Sequence, residues 1–201
     1  MQECEILKLL KGNPHVNIVE IKDIYVDYDI MFFVEEFCEY DLATYYKEHR
    51  IKEGEYRLTD DERMCLFYQI INGLEFLHKL NISHGDLKFK NFLVTKEGIL
   101  KICDFGECYH CDQKGEDIFF RRGTKGNMAP EIYKGEYYDP FKADIWSCGI
   151  ILWAMFNYSP IVKQPGKEED KKTAYNDYYK KFEKITIDDL KNCKNESVKK
   201  L

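Results

Sequence analysis

Basic charge is the first thing this sequence is short of. Its 201 residues hold 30 Lys and Arg against 36 Asp and Glu, a formal net charge of -6. A general nucleic-acid binder carries a basic face, so that class is set aside. The pairs Lys171-Lys172, Lys180-Lys181 and Lys199-Lys200 read as solvated helix faces or tail. No long apolar run is present either. The longest, Cys148 to Phe156, falls well short of the ~20 residues a bilayer-spanning helix needs. Met1 opens into Gln-Glu-Cys-Glu without an apolar leader. The eight cysteines, scattered from Cys4 to Cys193, therefore read as reduced thiols, and the expected location is cytoplasmic or nuclear. Cys108-Tyr109-His110-Cys111 has half of a zinc pattern, but structural zinc takes four ligands and no second pair stands at the spacing. Internal repeats and low-complexity tracts are missing, and no Gly-x-Gly-x-x-Gly phosphate loop occurs anywhere.

What is present is enough for one well-filled core: 44% hydrophobic and 15% aromatic residues. Glu3 to Leu10 has helical spacing, stopped by Gly12-Asn13-Pro14. Two strand-like runs follow, Asn17 to Tyr25 and Asp29 to Phe37, joined by a turn at Asp27-Tyr28-Asp29. Asp41 to Arg50 reads as a short helix. Thr59-Asp60-Asp61-Glu62 is a capping box that launches an amphipathic helix through Leu80. A small hairpin is expected from Phe92-Leu93-Val94 and Leu100-Lys101-Ile102 around Glu97-Gly98. From Asp104 to Glu131 no periodicity appears, and connections that long are usually functional. Ala143 to Phe156 is apolar on nearly all sides and reads as a buried helix. Lys167 to Lys172 reads as a charged loop, with weaker helices at Thr173 to Glu183 and Ile187 to Asn192.

The polar loop His84-Gly85-Asp86-Leu87-Lys88-Phe89-Lys90-Asn91 and the later Asp104-Phe105-Gly106 carry the chemistry. They bring two carboxylates, a lysine and an amide, the inventory of phosphoryl transfer. One carboxylate orients and deprotonates a hydroxyl. A carboxylate and an amide oxygen hold Mg²⁺, and a cation neutralises the moving phosphoryl group. Singly these residues say little. The ordered set adds Gly123-Thr124, Met128-Ala129-Pro130-Glu131 and Asp144-Ile145-Trp146-Ser147-Cys148-Gly149. In this order it resembles the signature set of eukaryotic-type protein kinases, of serine/threonine type.

The resemblance implies an α+β kinase-like fold. Residues 1-38 would be a small-lobe remnant (one helix, two strands) plus hinge, and residues 39-201 the helical large lobe with catalytic loop and activation segment. It implies ATP and Mg²⁺ as cofactors and a protein with a Ser/Thr acceptor as partner, with no nucleic acid or membrane partner. Asp86 would be the catalytic base and Lys88 the phosphate-contacting lysine, with Thr124 bracing both. Asn91 and Asp104 would be metal ligands. Glu36 and Cys38 would form the hinge against the adenine edge, with Leu93 under the ring. Glu3 matches the helix glutamate that pairs with a third-strand lysine. Leu7, Ile21, His84 and Phe105 would stack as a spine anchored by Asp144, with His84 a packing residue. Glu131 would pair with a distant arginine. Arg121-Arg122 reads as solvated charge.

The sequence departs from the family pattern in several places. The glycine-rich loop and the third-strand lysine are absent, so one edge of the Ile30 to Phe37 strand lacks its neighbour. The first forty or so residues are therefore expected to be less ordered or to be covered by a partner. Gly85 stands where most kinases have the arginine that meets an activation-segment phosphate, so activation is expected not to depend on that phosphate. Phe89, Lys90 and Asn127 replace a usual proline, glutamate and aromatic residue. Glu35, or Val34 if the register differs by one, falls at the gatekeeper position. The expectation is a serine/threonine protein kinase, with weak or no transfer by residues 1-201 alone; the alternative is a pseudokinase or scaffold module.

Overall fold

Helix α1 (Gln2-Gly12) begins with Glu3 and Glu5 and ends with Lys11, matching the helix dipole at both ends. Its Ile6, Leu7 and Leu10 turn to one side and are buried. This computed structural model describes residues 2-28, 30-52, 55-111 and 117-157. The expected elements at 167-172, 173-183 and 187-192 lie outside the described residues, as does Asp29 of the first turn.

After α1 the chain does not enter a strand at once, as the run from Asn17 suggests. Residues 17-19 dock along the later Leu100-Ile102 strand. Ile102 N-H donates to Asn17 C=O at 2.9 Å, Val19 N-H donates to Ile102 C=O at 2.9 Å, and Ile18 bridges Ile102 in parallel. Strand β1 (Ile21-Asp27) starts only past this anchor and pairs antiparallel with β2 (Ile30-Glu35). Inner positions such as Ile24 and Phe33 pack on the core, while Tyr25, Val26, Ile30 and Phe32 are exposed.

β3 (Tyr40-Asp41) leads into α2 (Leu42-Glu48), because the Asp41 carboxylate caps it by accepting from Thr44 N-H at 2.9 Å. A small hairpin, β4 (Arg50-Lys52) and β5 (Glu55-Tyr56), precedes α3 (Asp60-Lys79). The predicted capping box forms in full. Glu62 N-H donates to Thr59 Oγ1 at 3.2 Å, and Thr59 N-H donates back to Glu62 Oε2 at 2.7 Å.

Beyond α3 come β6 (Ile82-Ser83), a single 3₁₀ turn at Phe89-Asn91, and the predicted hairpin β7 (Phe92-Val94) and β8 (Leu100-Ile102). β3, β7 and β8 make one sheet. β9 (Tyr109-His110) pairs with β6, so the long aperiodic connection is tied down near its start. α4 (Pro130-Lys134) ends at Gly135 in the left-handed conformation. α5 (Pro140-Asn157) starts earlier than the apolar run, because the Asp139 carboxylate accepts from Phe141 and Lys142 N-H at 2.9 and 3.2 Å. Its Ile145 is exposed, so the helix is buried on most but not all sides.

One continuous core joins α1, residues 18-21, α2, α3, the β7-β8 hairpin and α5. The helix and anchor of the N-terminal part thus share their packing with the helical part. Among the described residues up to 38, the β1-β2 ribbon is largely exposed, as are residues 11-14, Val16 and Phe37. A second cluster, Ile118, Met128, Ala129, Ile132, Tyr138 and Ala143, packs under the end of the long connection.

Candidate active site

The loop between β6 and β7 is shaped by a buried acid. Asp144 on α5 is 1% exposed. It accepts from His84 N-H at 2.8 Å, Gly85 N-H at 2.9 Å and His78 Nε2 at 2.9 Å. These donors compensate for burying a carboxylate. His84, fully buried, accepts from Asp86 N-H through Nδ1 at 3.3 Å and faces Cys103 C=O through Nε2 at 3.0 Å. Those partners assign the neutral tautomer with its proton on Nε2. Its ring stands 5.9 Å from that of Phe105, and Leu7, Ile21 and Phe105 are all buried. The predicted spine residues therefore occupy the shared core, and Asp144 fixes its foot. His78 was invisible as a participant in the sequence, where it is one more polar residue late in an amphipathic helix.

On this base three predicted side chains meet. Lys88 Nζ lies 2.5 Å from Asp86 Oδ2 and 3.2 Å from Thr124 Oγ1, and Thr124 N-H donates to Asp86 Oδ1 at 2.7 Å. Asn91 Nδ2 donates to Asp86 C=O at 3.0 Å, and Asn91 C=O accepts from Cys103 N-H at 3.0 Å. Asp104 follows Cys103 directly, so its backbone is held within one residue of that bond. Asp104 is exposed and sits in the left-handed region at φ 66°. A non-glycine residue there is uncommon and marks a backbone constrained by its surroundings.

Around Asp104 the charge is one-sided. The Glu3 carboxylate faces the same turn: a Cβ placed on Gly106 would lie 3.5 Å from Asp104 Oδ1 and 3.7 Å from Glu3 Oε1. Glu35 is the third acid. Its carboxyl pKa is raised, first by burial and then by Asp104. The side chain is nonetheless exposed to solvent, so its burial is shallow. Glu35 lies on the same face of β2 as half-buried Phe33, whereas Val34 points outward and is exposed. Glu35 is itself exposed, so neither of the two candidate positions is buried. Among the described residues no Lys or Arg forms an ion pair with Glu3, Glu35 or Asp104. A cluster of this kind favours a cation.

The hinge candidates lie on the stretch from β2 to β3. The Glu36 carboxylate is already engaged, by Lys101 Nζ at 2.6 Å and Glu20 N-H at 2.8 Å. Its own N-H donates to Glu20 C=O at 3.0 Å. Cys38 is half-buried, with its thiol pKa raised by burial first and by Glu36 next. Leu93 sits mid-strand in β7, half-buried and opposite Asp41 and Lys101. Burial pushes the Cys103 thiol up to about 12 and Cys108 well above its ordinary value. Neutral thiols are poor nucleophiles, so these two cysteines are packing residues.

One expectation is overturned. Arg122 is half-buried rather than solvated: its Nη1 donates to Glu107 C=O at 3.2 Å and Cys108 C=O at 3.0 Å. Its neighbour Arg121 is exposed, lying 5.7 Å from the Tyr133 ring. The sequence holds no arginine after Lys184 to pair with Glu131.

The sequence matches the protein kinase domain over residues 1-201. The chain belongs to the protein kinase family. Within that family it is 36% identical over 145 residues to the probable serine/threonine-protein kinase RTK1 of Saccharomyces cerevisiae, covering 70% of this chain and 22% of that protein. It is 36% identical over 156 residues to CBL-interacting serine/threonine-protein kinase 5 of Arabidopsis thaliana, covering 77% of this chain and 33% of the relative. This kinase chain thus spans at most about a third of those two curated relatives. A solved structure, the yeast RNA Pol II CTD kinase CTDK-1 complex, superposes at TM-score 0.67 with 30% identity, covering 80% of this chain and 51% of that one. The kinase-like α+β fold is therefore shown. No helix among the described residues is long and apolar enough to cross a membrane.

Proposed function

We propose that this chain is the catalytic part of an ATP- and Mg²⁺-dependent kinase that phosphorylates serine or threonine in proteins. The observation that carries the reading is the meeting of Asp86, Lys88 and Thr124 within hydrogen-bond reach, beside a buried Asn91. In this reading residues 1-38 are the small-lobe part with the hinge, and 39-201 the large lobe.

The donor set fits a hard divalent ion. Asn91 uses its amide N-H on Asp86 C=O, which leaves its carboxamide oxygen free of any partner among the described residues. Asp104 presents an exposed carboxylate with none. Oxygen ligands of this type suit Mg²⁺, and the acidic surroundings of Glu3 and Glu35 need a positive charge. When bound, the ion would neutralise charge on the nucleotide phosphates. Asp86 orients the acceptor hydroxyl through Oδ2 and takes its proton, while Thr124 N-H holds Oδ1 and fixes the carboxylate plane. Lys88 is placed to move from Asp86 to the transferred phosphoryl group. The Glu36 carbonyl and the Cys38 backbone, without backbone partners among the described residues, supply the polar edge for adenine, and Leu93 supplies an apolar floor.

The test is Mg²⁺-dependent transfer of labelled phosphate from ATP to serine/threonine peptides by the full-length protein that carries residues 1-201. Asp86→Asn should lower turnover by roughly 10²-10⁴-fold, the usual contribution of a positioned base, with unchanged thermal stability. Undiminished transfer by Asp86→Asn would refute the reading. The scaffold alternative is favoured by Gly85, which stands where most kinases carry an arginine. It requires that neither protein transfers phosphate.

A further inference from the structure

Gly85 is where the activation segment touches the catalytic loop. At φ 77° its backbone is in the left-handed region, and a Cβ there would stand 2.5 Å from Glu107 C=O. No side chain fits, so the space is taken by the backbone of the activation segment itself. The other end of the segment closes on the same residue. Gly123, at φ 98°, sits so close that its Cβ would lie 2.7 Å from Gly85 C=O. The segment's two ends are therefore stacked on either side of one catalytic-loop glycine.

A cation joins them. Arg122, next to Gly123 at the late end, donates to Glu107 and Cys108 C=O at the early end, at 3.2 and 3.0 Å. Its guanidinium lies 5.1 Å from the Phe120 ring centre and 5.8 Å from that of Tyr109. Both rings flank the guanidinium, and Tyr109 belongs to β9, already paired with β6. Charge-assisted bonds to two carbonyls under aromatic cover are the strong kind of tie. Thr124, two residues on, holds Asp86 through its N-H. Movement of Arg122 would therefore be felt at the catalytic carboxylate.

We propose that Arg122 is a positioning residue that locks the activation segment onto the catalytic loop without a phosphate, keeping Thr124 and Asp86 in register. This rests on the kinase reading given above. In this arrangement the cation is supplied by the segment and the acceptors by its own backbone, so no added charge is needed to order it.

The test is hydrogen exchange by mass spectrometry on phosphatase-treated residues 1-201, as wild type, Arg122→Gln and Arg122→Lys. In Arg122→Gln, amides of residues 107-110 and 122-124 should exchange roughly tenfold or more faster, the equilibrium equivalent of one charge-assisted hydrogen bond. Amides of α3 and α5 should be unchanged. Arg122→Lys should restore part of the protection, since an ammonium reaches a carbonyl but cannot fork or stack as a guanidinium does. Unchanged exchange of both stretches in Arg122→Gln, or segment opening in wild type on phosphatase treatment alone, would overturn the proposal. If Arg122→Gln loosens α5 as well, Arg122→Lys decides: local loosening with α5 intact supports the lock, and equal loosening everywhere overturns it. Exchange needs no turnover, so a protein that transfers no phosphate would defeat the kinase reading and leave this test standing. In an active protein, Arg122→Gln should lower kcat and leave the KM for ATP within roughly twofold, as expected for lost transition-state positioning.

Discussion

Replacing Gly73 by alanine should destabilise this protein, although helix propensity alone says the reverse. Gly73 lies in the middle of α3, where exchanging glycine for alanine normally stabilises by about 1 kcal/mol. Here the new methyl would stand 2.7 Å from Asn17 C=O and 2.9 Å from Ile102 Cδ1. The oxygen is backbone and already accepts from Ile102 N-H. The Asn17 side chain, buried at 3% exposure, is tied just as firmly. Its Nδ2 donates to Gln69 Oε1 at 3.1 Å and Leu100 C=O at 2.8 Å, and its Oδ1 accepts from Asn72 Nδ2 at 2.7 Å. The methyl cannot be accommodated unless this anchor moves. Overpacking costs about 1-3 kcal/mol, and stretching one or two of the anchor's hydrogen bonds adds about 1 kcal/mol each. Set against the propensity gain, the net loss is about 1-4 kcal/mol. That corresponds to a fall in Tm of roughly 2-16 °C for a chain of this size. Calorimetry or circular-dichroism melting measures it, and hydrogen exchange at Val19 and Ile21 should report the anchor loosening. A rise in Tm would refute the claim that α3 is held close to residues 17-19 at this point.

Protection should grade within the N-terminal part. Amides of α1 and of residues 18-21 should exchange as slowly as those of α3, and the β1-β2 ribbon beyond Asp23 should exchange faster, since Tyr25, Val26, Ile30 and Phe32 are exposed. Uniform protection across residues 2-35 would count against this. Glu35→Gln should raise Tm at neutral pH. The folded-state pKa of Glu35 is raised above its ordinary 4.5, by burial first and Asp104 second. The unfolded chain therefore ionises first as pH rises, and stability is lost from there up to the folded pKa. Below that range the residue is neutral in both states, so the advantage of Glu35→Gln should vanish on acidification. An advantage that is constant with pH would contradict the assignment.

Much of the site could be read from the residues because it is local. Asp86, Lys88 and Asn91 share one loop, and the ordered motifs on either side of it fix where Thr124 and Asp144 must come. The capping box at Thr59 and the hairpin around Gly98 are equally short-range and appeared as expected. What escaped was set by tertiary contact. Asn17, Ile18 and Val19 have strand-like character, yet they pair with Ile102 because β8 offers a free edge there. Arg122 looked like solvated charge, since nothing in its neighbours announces that Glu107 and Cys108 will fold back over it. Asp139 was missed as a helix cap because the apolar run begins later.

The most direct measurement is a thermal-shift titration with ATP, with and without Mg²⁺, on wild type and Asp104→Asn. If Asp86, Lys88, Asn91 and Asp104 form a metal-nucleotide site, Mg²⁺-ATP at about a hundredfold above its Kd should stabilise wild type by about 2.7 kcal/mol. That is a rise of roughly 5-11 °C. ATP alone should give markedly less, and Asp104→Asn should lose the Mg²⁺-dependent part. No shift in wild type, or an equal shift in Asp104→Asn, would contradict the account.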